Sequence, residues 1–218
     1  MTEYILSIDP GLSSGVALLS YTDDTTPKLV KAWQFKGGAD ALNTWIDDHF
    51  DMDGWDPHND EPNRRGMCLW KQRVQAFLDE SHERYDPDLD DYVTDPPNLT
   101  IIAEKFNARN AVGFSYTTAS LEPLRCEGVL VGTGLGEFVK YVQPPQQYIA
   151  GGGGKADKKK RQHRLLKDLG FYVTGKGLDA PDADDARSAI AHALGYLVRS
   201  GHKPTYEMIA GWAGELDG

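Results

Sequence analysis

The chain has 218 residues, a formal net charge of -10, and hydrophobic and charged fractions of 40% and 26%. That is enough for one sizeable core, or a core with a large insertion, in an ordinary globular composition. No apolar run approaches the roughly 20 residues of a membrane span, and the N-terminus lacks a basic segment followed by an apolar one, so a cytoplasmic protein is expected, without spanning helix or secretory leader.

Residues 3 to 9 predict a buried strand, 14 to 21 a second and 28 to 35 a third. The turn Asp23-Asp24-Thr25-Thr26-Pro27 makes a hairpin of the last two. Gly11 and Gly15 bracket the first turn, where backbone must bend tightly and has room to approach a ligand. Residues 39 to 50 predict a helix with Leu42, Trp45 and Ile46 on one side. From about 51 to 98 the pattern changes to Asp-, Pro- and Asn-rich loops flanking one helix, Leu69 to Arg84. This acidic region is expected to be an insertion on the edge of the core, since Trp55, Trp70 and Phe77 need somewhere to bury. The strand Leu99 to Glu104 then returns to the main sheet.

A helix is expected within 117 to 139, its ends blurred by Pro123 and several glycines, and a short strand over Phe138 to Val142. Gly151 to Gly154 form a loop, followed by a helix over 156 to 169, a strand around Phe171 to Thr174, and a helix over Asp182 to Arg199. The tail from Pro204 carries Tyr206, Ile209 and Trp212 at helical spacing. Cys68 and Cys126 do not make a disulfide framework and read as ordinary small side chains in a reducing compartment.

The net charge alone argues against nucleic-acid binding, because phosphate contacts are made mainly by Lys and Arg. The charge is polarised, however. Acids crowd between Asp47 and Asp95, while Lys155, Lys158, Lys159, Lys160, Arg161, Arg164 and Lys167 fall in one short stretch. A basic run is most often a solvated helix face. Here it follows a glycine loop in an acidic protein, where a local positive field would steer DNA.

Four acids stand out. Asp9 ends the apolar run Tyr4 to Ile8, Glu104 ends Leu99 to Ala103, and Asp182 and Asp185 open the apolar segment from Ala186 to Val198. A charge next to a core must be solvated, paired or metal-bound. Three elements that end this way suggest convergence, and hard oxygen ligands suit Mg²⁺ or Mn²⁺ rather than zinc. Asp182 and Asp185 are three apart and would share one face of a helix. They would also sit in its first turn, where acids are common caps. Asp184 is expected to face solvent or cap the helix. His163 and His192 belong to no His/Cys ligand pattern and are not expected to bind metal, His163 rather meeting DNA or solvent. A strand-end Asp before a glycine turn occurs in ribonuclease-H-like folds, where it ligates metal. It also occurs in the actin, hexokinase and sugar-kinase group, where the loop contacts phosphate. The pattern alone does not separate the two.

Taken together, the blocks resemble the RuvC family of Holliday-junction resolvases. The matching residues are Ile8-Asp9-Pro10-Gly11; Glu104 with Phe106, Asn107, Ala108, Arg109 and Asn110; Gly151 to Lys158; and Asp182-Ala183-Asp184-Asp185-Ala186 leading into a small-residue apolar helix. Their order and spacing cover most of the chain. Residues 51 to 98 are the main departure and look like the bacteriophage branch of the family. The resemblance implies one nuclease domain over residues 1 to 218. Its fold would be the α/β, ribonuclease-H-like one: a central mixed five-stranded sheet with helices on both faces, plus the insertion. It implies that Asp9, Glu104, Asp182 and Asp185 hold two Mg²⁺ or Mn²⁺ ions for phosphodiester hydrolysis, leaving a 5′ phosphate and a 3′ hydroxyl. It further implies that Lys155 and Lys158 meet the backbone near the cut, with Lys159, Lys160, Arg161 and Arg109 extending the DNA contact. Phe106 would stack on an unpaired base, with Phe114 and Tyr116 as nearby candidates. The expected partners are branched DNA and a second copy of the chain, with a branch-migration complex left open by the insertion. A phosphotransferase using Asp9 and a non-catalytic junction-binding protein are the competing readings.

Overall fold

The computed structural model describes residues 2–49, 83–86, 91–94, 98–105, 118–133, 135–137, 139–142, 155–175 and 182–217. The chain opens with three strands, β1 (Glu3–Asp9), β2 (Ser13–Thr22) and β3 (Thr25–Lys36), and a helix, α1 (Gly38–His49). Two short strands follow, β4 (Glu83–Asp86) and β5 (Asp91–Thr94), then β6 (Asn98–Glu104), α2 (Thr118–Gly132) and, after a turn of 3₁₀ helix at Leu135–Glu137, β7 (Val139–Val142). Three helices complete it: α3 (Lys155–Asp168), α4 (Asp184–Arg199) and α5 (Lys203–Asp217).

The main sheet runs β3-β2-β1-β6-β7. β1, β2 and β3 pair antiparallel, whereas β6 lies parallel to β1 and β7 parallel to β6. This is the mixed five-stranded arrangement expected of a ribonuclease-H-like chain. Antiparallel neighbours need only tight turns, as at Asp23-Asp24, while a parallel neighbour needs a crossover, which the chain between β1 and β6 supplies.

Alternation along β1 decides what each face holds. Tyr4, Leu6 and Ile8 point into a core with Val16, Leu18, Phe35, Leu42, Ile46, Ile101, Cys126 and Leu130, under α1 and α2. Ile5 points into the opposite core with Ala17, Leu19, Ile102, Leu165, Leu166, Ile190, Leu194, Ile209 and Trp212, under α3, α4 and α5. Side chains of Leu and Ile buried this fully stabilise a fold by about 1.5–3 kcal/mol each. Asp9 shares the parity of Ile5, and Glu104 that of Ile102. Both acids therefore end their strands on the face covered by α4.

Three expectations need correction. Glu83 and Arg84, the end of the expected helix at 69 to 84, lie in β4, paired to Val93 and Thr94 of β5. The rest of that helix and the packing of the insertion lie outside the described residues. Phe171 to Thr174 form no strand. Phe171 is buried in the core instead, and the Val173 carbonyl accepts from Arg187 Nη1 at 2.9 Å, so a side chain takes the place of a neighbouring strand. The helix expected from Asp182 begins at Asp184, with Asp182 and Ala183 preceding it. The tail helix agrees with its expectation: Ile209 and Trp212 are buried and Tyr206 is exposed.

Candidate metal centre

The register of the sheet assembles the site. β1 and β6 are adjacent and parallel, with Ile8 beside Ala103, so both strands end together and carry Asp9 and Glu104 out at the same edge. On the other side of β1, Asp9 pairs with Gly15, and Gly15 pairs with Gln34 of β3. Paired positions in a sheet point to one face. Gln34, Gly15 and Asp9 thus form a single row beneath the N-terminus of α4.

That helix end lies directly on the row. A Cβ at Gly15 would stand 2.1 Å from both the carbonyl carbon and the carbonyl oxygen of Asp185. Only a glycine allows backbone to pack on backbone this closely. Gln34, 1% exposed, reaches up beside it. Its Oε1 accepts from the Asp185 and Ala186 amides at 3.0 Å each, and its Nε2 donates to Asp182 Oδ1 at 3.0 Å. The backbone of Asp185 is therefore held over Gly15, one strand away from Asp9, and Asp182 is held by Gln34, two strands away. Burial pushes the Asp185 carboxyl up from its ordinary range, and the charge of Asp182 adds to that.

Among the described residues, Asp9, Glu104 and His192 each offer one ligand atom within 4.8 Å of the others. Asp182 and Asp185 are outside that group. His192 follows Asp185 by seven residues, close to two helical turns, so it lies on the same sheet-facing side of α4. Its Nε2 is 3.1 Å from Glu104 Oε2 and 3.8 Å from Asp9 Oδ1. Burial alone would lower the His192 pKa, but hydrogen bonds and charge from Asp9 and Glu104 outweigh it and raise the value to about 9. Burial raises Asp9 to about 6, against the pull of His192. Burial likewise pushes Glu104 up, but the hydrogen bond and charge of His192 prevail and hold it below its usual value. Asp9 and Glu104 thus favour the protonated imidazole; only the neutral ring has a lone pair for a metal ion, so His192 would give up that proton to serve as a ligand.

The geometry fits a divalent ion. Octahedral ligands at about 2.1 Å stand about 3 Å apart when adjacent and about 4.2 Å apart when opposite. The separations of 3.1 and 3.8 Å lie in this range. The donor set differs from the expectation, because the group contains an imidazole. The oxygen-only argument against other metals holds for the four acids but not for this cluster; imidazole widens the choice toward Mn²⁺ and later transition metals.

Asp184 is partly exposed, as expected, but makes no cap bond. It pairs with Arg187 and Lys159 and lies 3.4 Å from His163 Nε2. Burial pushes its carboxyl up, but the hydrogen bonds from Lys159 and Arg187 outweigh it and hold the group below its usual value. His163 meets protein rather than solvent, with Arg187 Nε 3.2 Å from its Nε2. Lys158, Lys159, Lys160 and Arg161 are all on α3. Lys159 and Lys160 are exposed, Lys158 is half-buried, and the Arg161 guanidinium lies 5.4 Å from the centre of the Trp212 ring. Lys155 begins α3. Phe106, Arg109, Phe114 and Tyr116 lie outside the described residues, as does Cys68. Gln34 is the site residue that sequence reasoning missed, and His192, which was not expected to bind metal, is one that the structure brings into the candidate cluster. For His192 a signal existed in its two-turn spacing from Asp185; for Gln34 there was none.

No protein-family model matches the chain, and no curated protein matches it. Among solved structures, the chain is similar to the Thermus thermophilus RuvC structure, with a TM-score of 0.47 and 13% identity over 91% of this chain and 97% of that one. It is also similar to T. thermophilus RuvC in complex with a Holliday junction substrate, with a TM-score of 0.47 and 12% identity over the same shares of the two chains. Among the described residues no helix is long and apolar enough to cross a membrane.

Proposed function

We propose that the chain is a metal-dependent endonuclease that cuts branched DNA, Holliday junctions first. The observation that carries this reading is the meeting of Asp9, Glu104 and His192 where adjacent parallel strands end, with Asp182 and Asp185 fixed by Gln34 where α4 begins. The four acids are also those matched in the sequence motifs.

Asp9 and Glu104 would hold metal from the rigid strand ends, Asp182 and Asp185 from the helix end, and His192 would complete or orient the set. Bound there, a pair of divalent ions would supply activation of water for in-line attack and stabilisation of the leaving 3′ oxygen. The acids act as ligands and not as nucleophiles. Each is held by strand pairing or by Gln34, so little reorganisation is needed when phosphate arrives. On α3, Lys159 pairs with Asp184 at the start of α4, and it would bind the DNA backbone together with Lys158 and Lys160. Lys155, Arg161, Phe106 and Arg109 are proposed to extend that contact. Symmetric nicks in a four-way junction need two such sites related by a twofold axis, so the active form is proposed to be a homodimer. The bacteriophage-type assignment and the single domain with an insertion at 51–98 belong to the same reading.

Cleavage of a labelled four-way junction in Mg²⁺, Mn²⁺ or EDTA, beside duplex and flap controls, tests it. Paired, metal-dependent nicks that leave a 5′ phosphate are expected. Cutting mainly at flaps or forks would keep the chemistry and change the substrate. No cutting with any metal would contradict the proposal, and thermal stabilisation by a nucleotide would then favour the phosphotransferase alternative.

A further inference from the structure

We propose that Gln34 is a positioning residue for the metal site, fixing Asp182 and Asp185 together through one buried carboxamide. The inference rests on the nuclease reading, in which those two acids are ligands.

The N-cap position of α4 is Ala183, which has no side-chain oxygen to offer, and no side-chain cap bond is made there. The first amides of a helix still need acceptors when buried. Gln34 supplies them from β3, some 150 residues earlier in the chain, with Oε1 taking both the Asp185 and Ala186 N–H groups. The assignment of oxygen and nitrogen follows from chemistry. Two N–H donors require the carbonyl oxygen, and an ionised Asp182 can only accept, so it requires the NH₂. One side chain therefore fixes the helix end that carries Asp185 and the carboxylate of Asp182 at once. It is 1% exposed and its strand position is set by pairing with Gly15, so it has little freedom to move.

A glutamate at the same place would still accept from both amides. It could not donate to Asp182 and would set a further negative charge beside it. A plain helix cap and a positioning residue thus respond differently to the two variants Gln34→Leu and Gln34→Glu. The measurements are thermal unfolding, Mn²⁺ titration by electron paramagnetic resonance, single-turnover cleavage of a four-way junction, and junction affinity in Ca²⁺.

Gln34→Leu is expected to lower the Tm, and to reduce Mn²⁺ affinity and cleavage rate by about 10–100-fold, as loss of a residue that orients metal ligands usually does. Junction affinity should stay within about twofold. Gln34→Glu, which keeps both amide bonds but buries a charge beside Asp182, is expected to recover only part of the Tm and to cut at least about tenfold more slowly than the natural protein. If Gln34→Leu does not fold, the Gln34→Glu comparison alone decides the matter. A Gln34→Glu protein that cuts at the natural rate, or a Gln34→Leu protein that loses Tm but keeps metal affinity and rate, would reduce Gln34 to a helix cap and leave the nuclease reading intact. A natural protein that binds no Mn²⁺ and cuts nothing would overturn the nuclease reading itself, and this inference with it.

Discussion

Two helices begin against the sheet on opposite faces, and each borrows its N-terminal cap from a distant part of the chain. α1 takes a charged one: the Glu122 carboxylate of α2 accepts from the Ala39 amide at 2.7 Å and is held in turn by Arg125 at 2.9 Å. α4 takes a neutral one, the Gln34 amide. Each contact also presses on a glycine. A Cβ at Gly38, where φ is +61°, would come within 2.1 Å of Glu122 Oε1, as one at Gly15 would of the Asp185 carbonyl. A carboxylate is the better partner for the positive end of a helix dipole. At α1 it has that use and an arginine to balance it. At α4 it would stand beside Asp182 and Asp185, where burial already pushes the Asp185 carboxyl upward and the charge of Asp182 adds to it. The neutral amide gives up some electrostatic stabilisation and gains a donor that a carboxylate lacks. One helix end is built to hold the fold, the other to hold acids.

That contrast can be broken most severely at the ligands. Asp9→Asn, or Asp185→Asn, should reduce junction cleavage by roughly 10³-fold or more while junction affinity in Ca²⁺ changes little. Retained cutting would remove that residue from the metal site. Gly15→Ala comes next. Its methyl would have to displace the start of α4, costing about 1–3 kcal/mol in urea unfolding and a large part of the activity, since small misplacements of ligands are costly. Natural activity in that variant would show that α4 can shift without consequence. Glu122→Ala sharpens the other side: removal of a helix cap should cost about 1–2 kcal/mol of stability, with a cleavage rate unchanged wherever the protein is folded. A proportionate loss of rate in folded protein would end the distinction between the two helix ends. The smallest effect is expected from replacing Lys158, Lys159 and Lys160 with Ala. Binding should weaken, and its salt slope should fall by up to about one for each phosphate that is no longer neutralised. An unchanged slope would make the run a solvated face.

What the sequence disclosed followed from how local the signal was. The five strands and the Leu42, Trp45, Ile46 stripe of α1 are short periodic patterns that their own residues dictate. Asp9 and Glu104 were visible because each ends such a run. Their meeting was expected because several buried elements end in acids, and the parallel pairing of β1 with β6 supplies it. Gln34 was invisible, because nothing in Ala32-Trp33-Gln34-Phe35 marks a polar residue as a cap for a helix far along the chain. The start of α4 was misplaced for the same reason: its cap is not local, so no capping residue marked the boundary. His192 was set aside as a ligand because it stands in no His/Cys ligand pattern; its companions are two carboxylates gathered from other elements. Asp184 was read as a surface acid, although Arg187 three residues on is its partner at helical spacing.

The most direct test of the metal centre is a crystal of the protein soaked in Mn²⁺ and measured for anomalous scattering. A peak is expected about 2.0–2.3 Å from carboxylate oxygens of both Asp9 and Glu104, with Asp182, Asp185 or His192 completing the shell, and it should vanish in Asp9→Asn. No peak at the ends of β1 and β6, under conditions in which the protein cuts DNA, would contradict the assignment of this site as the nuclease centre.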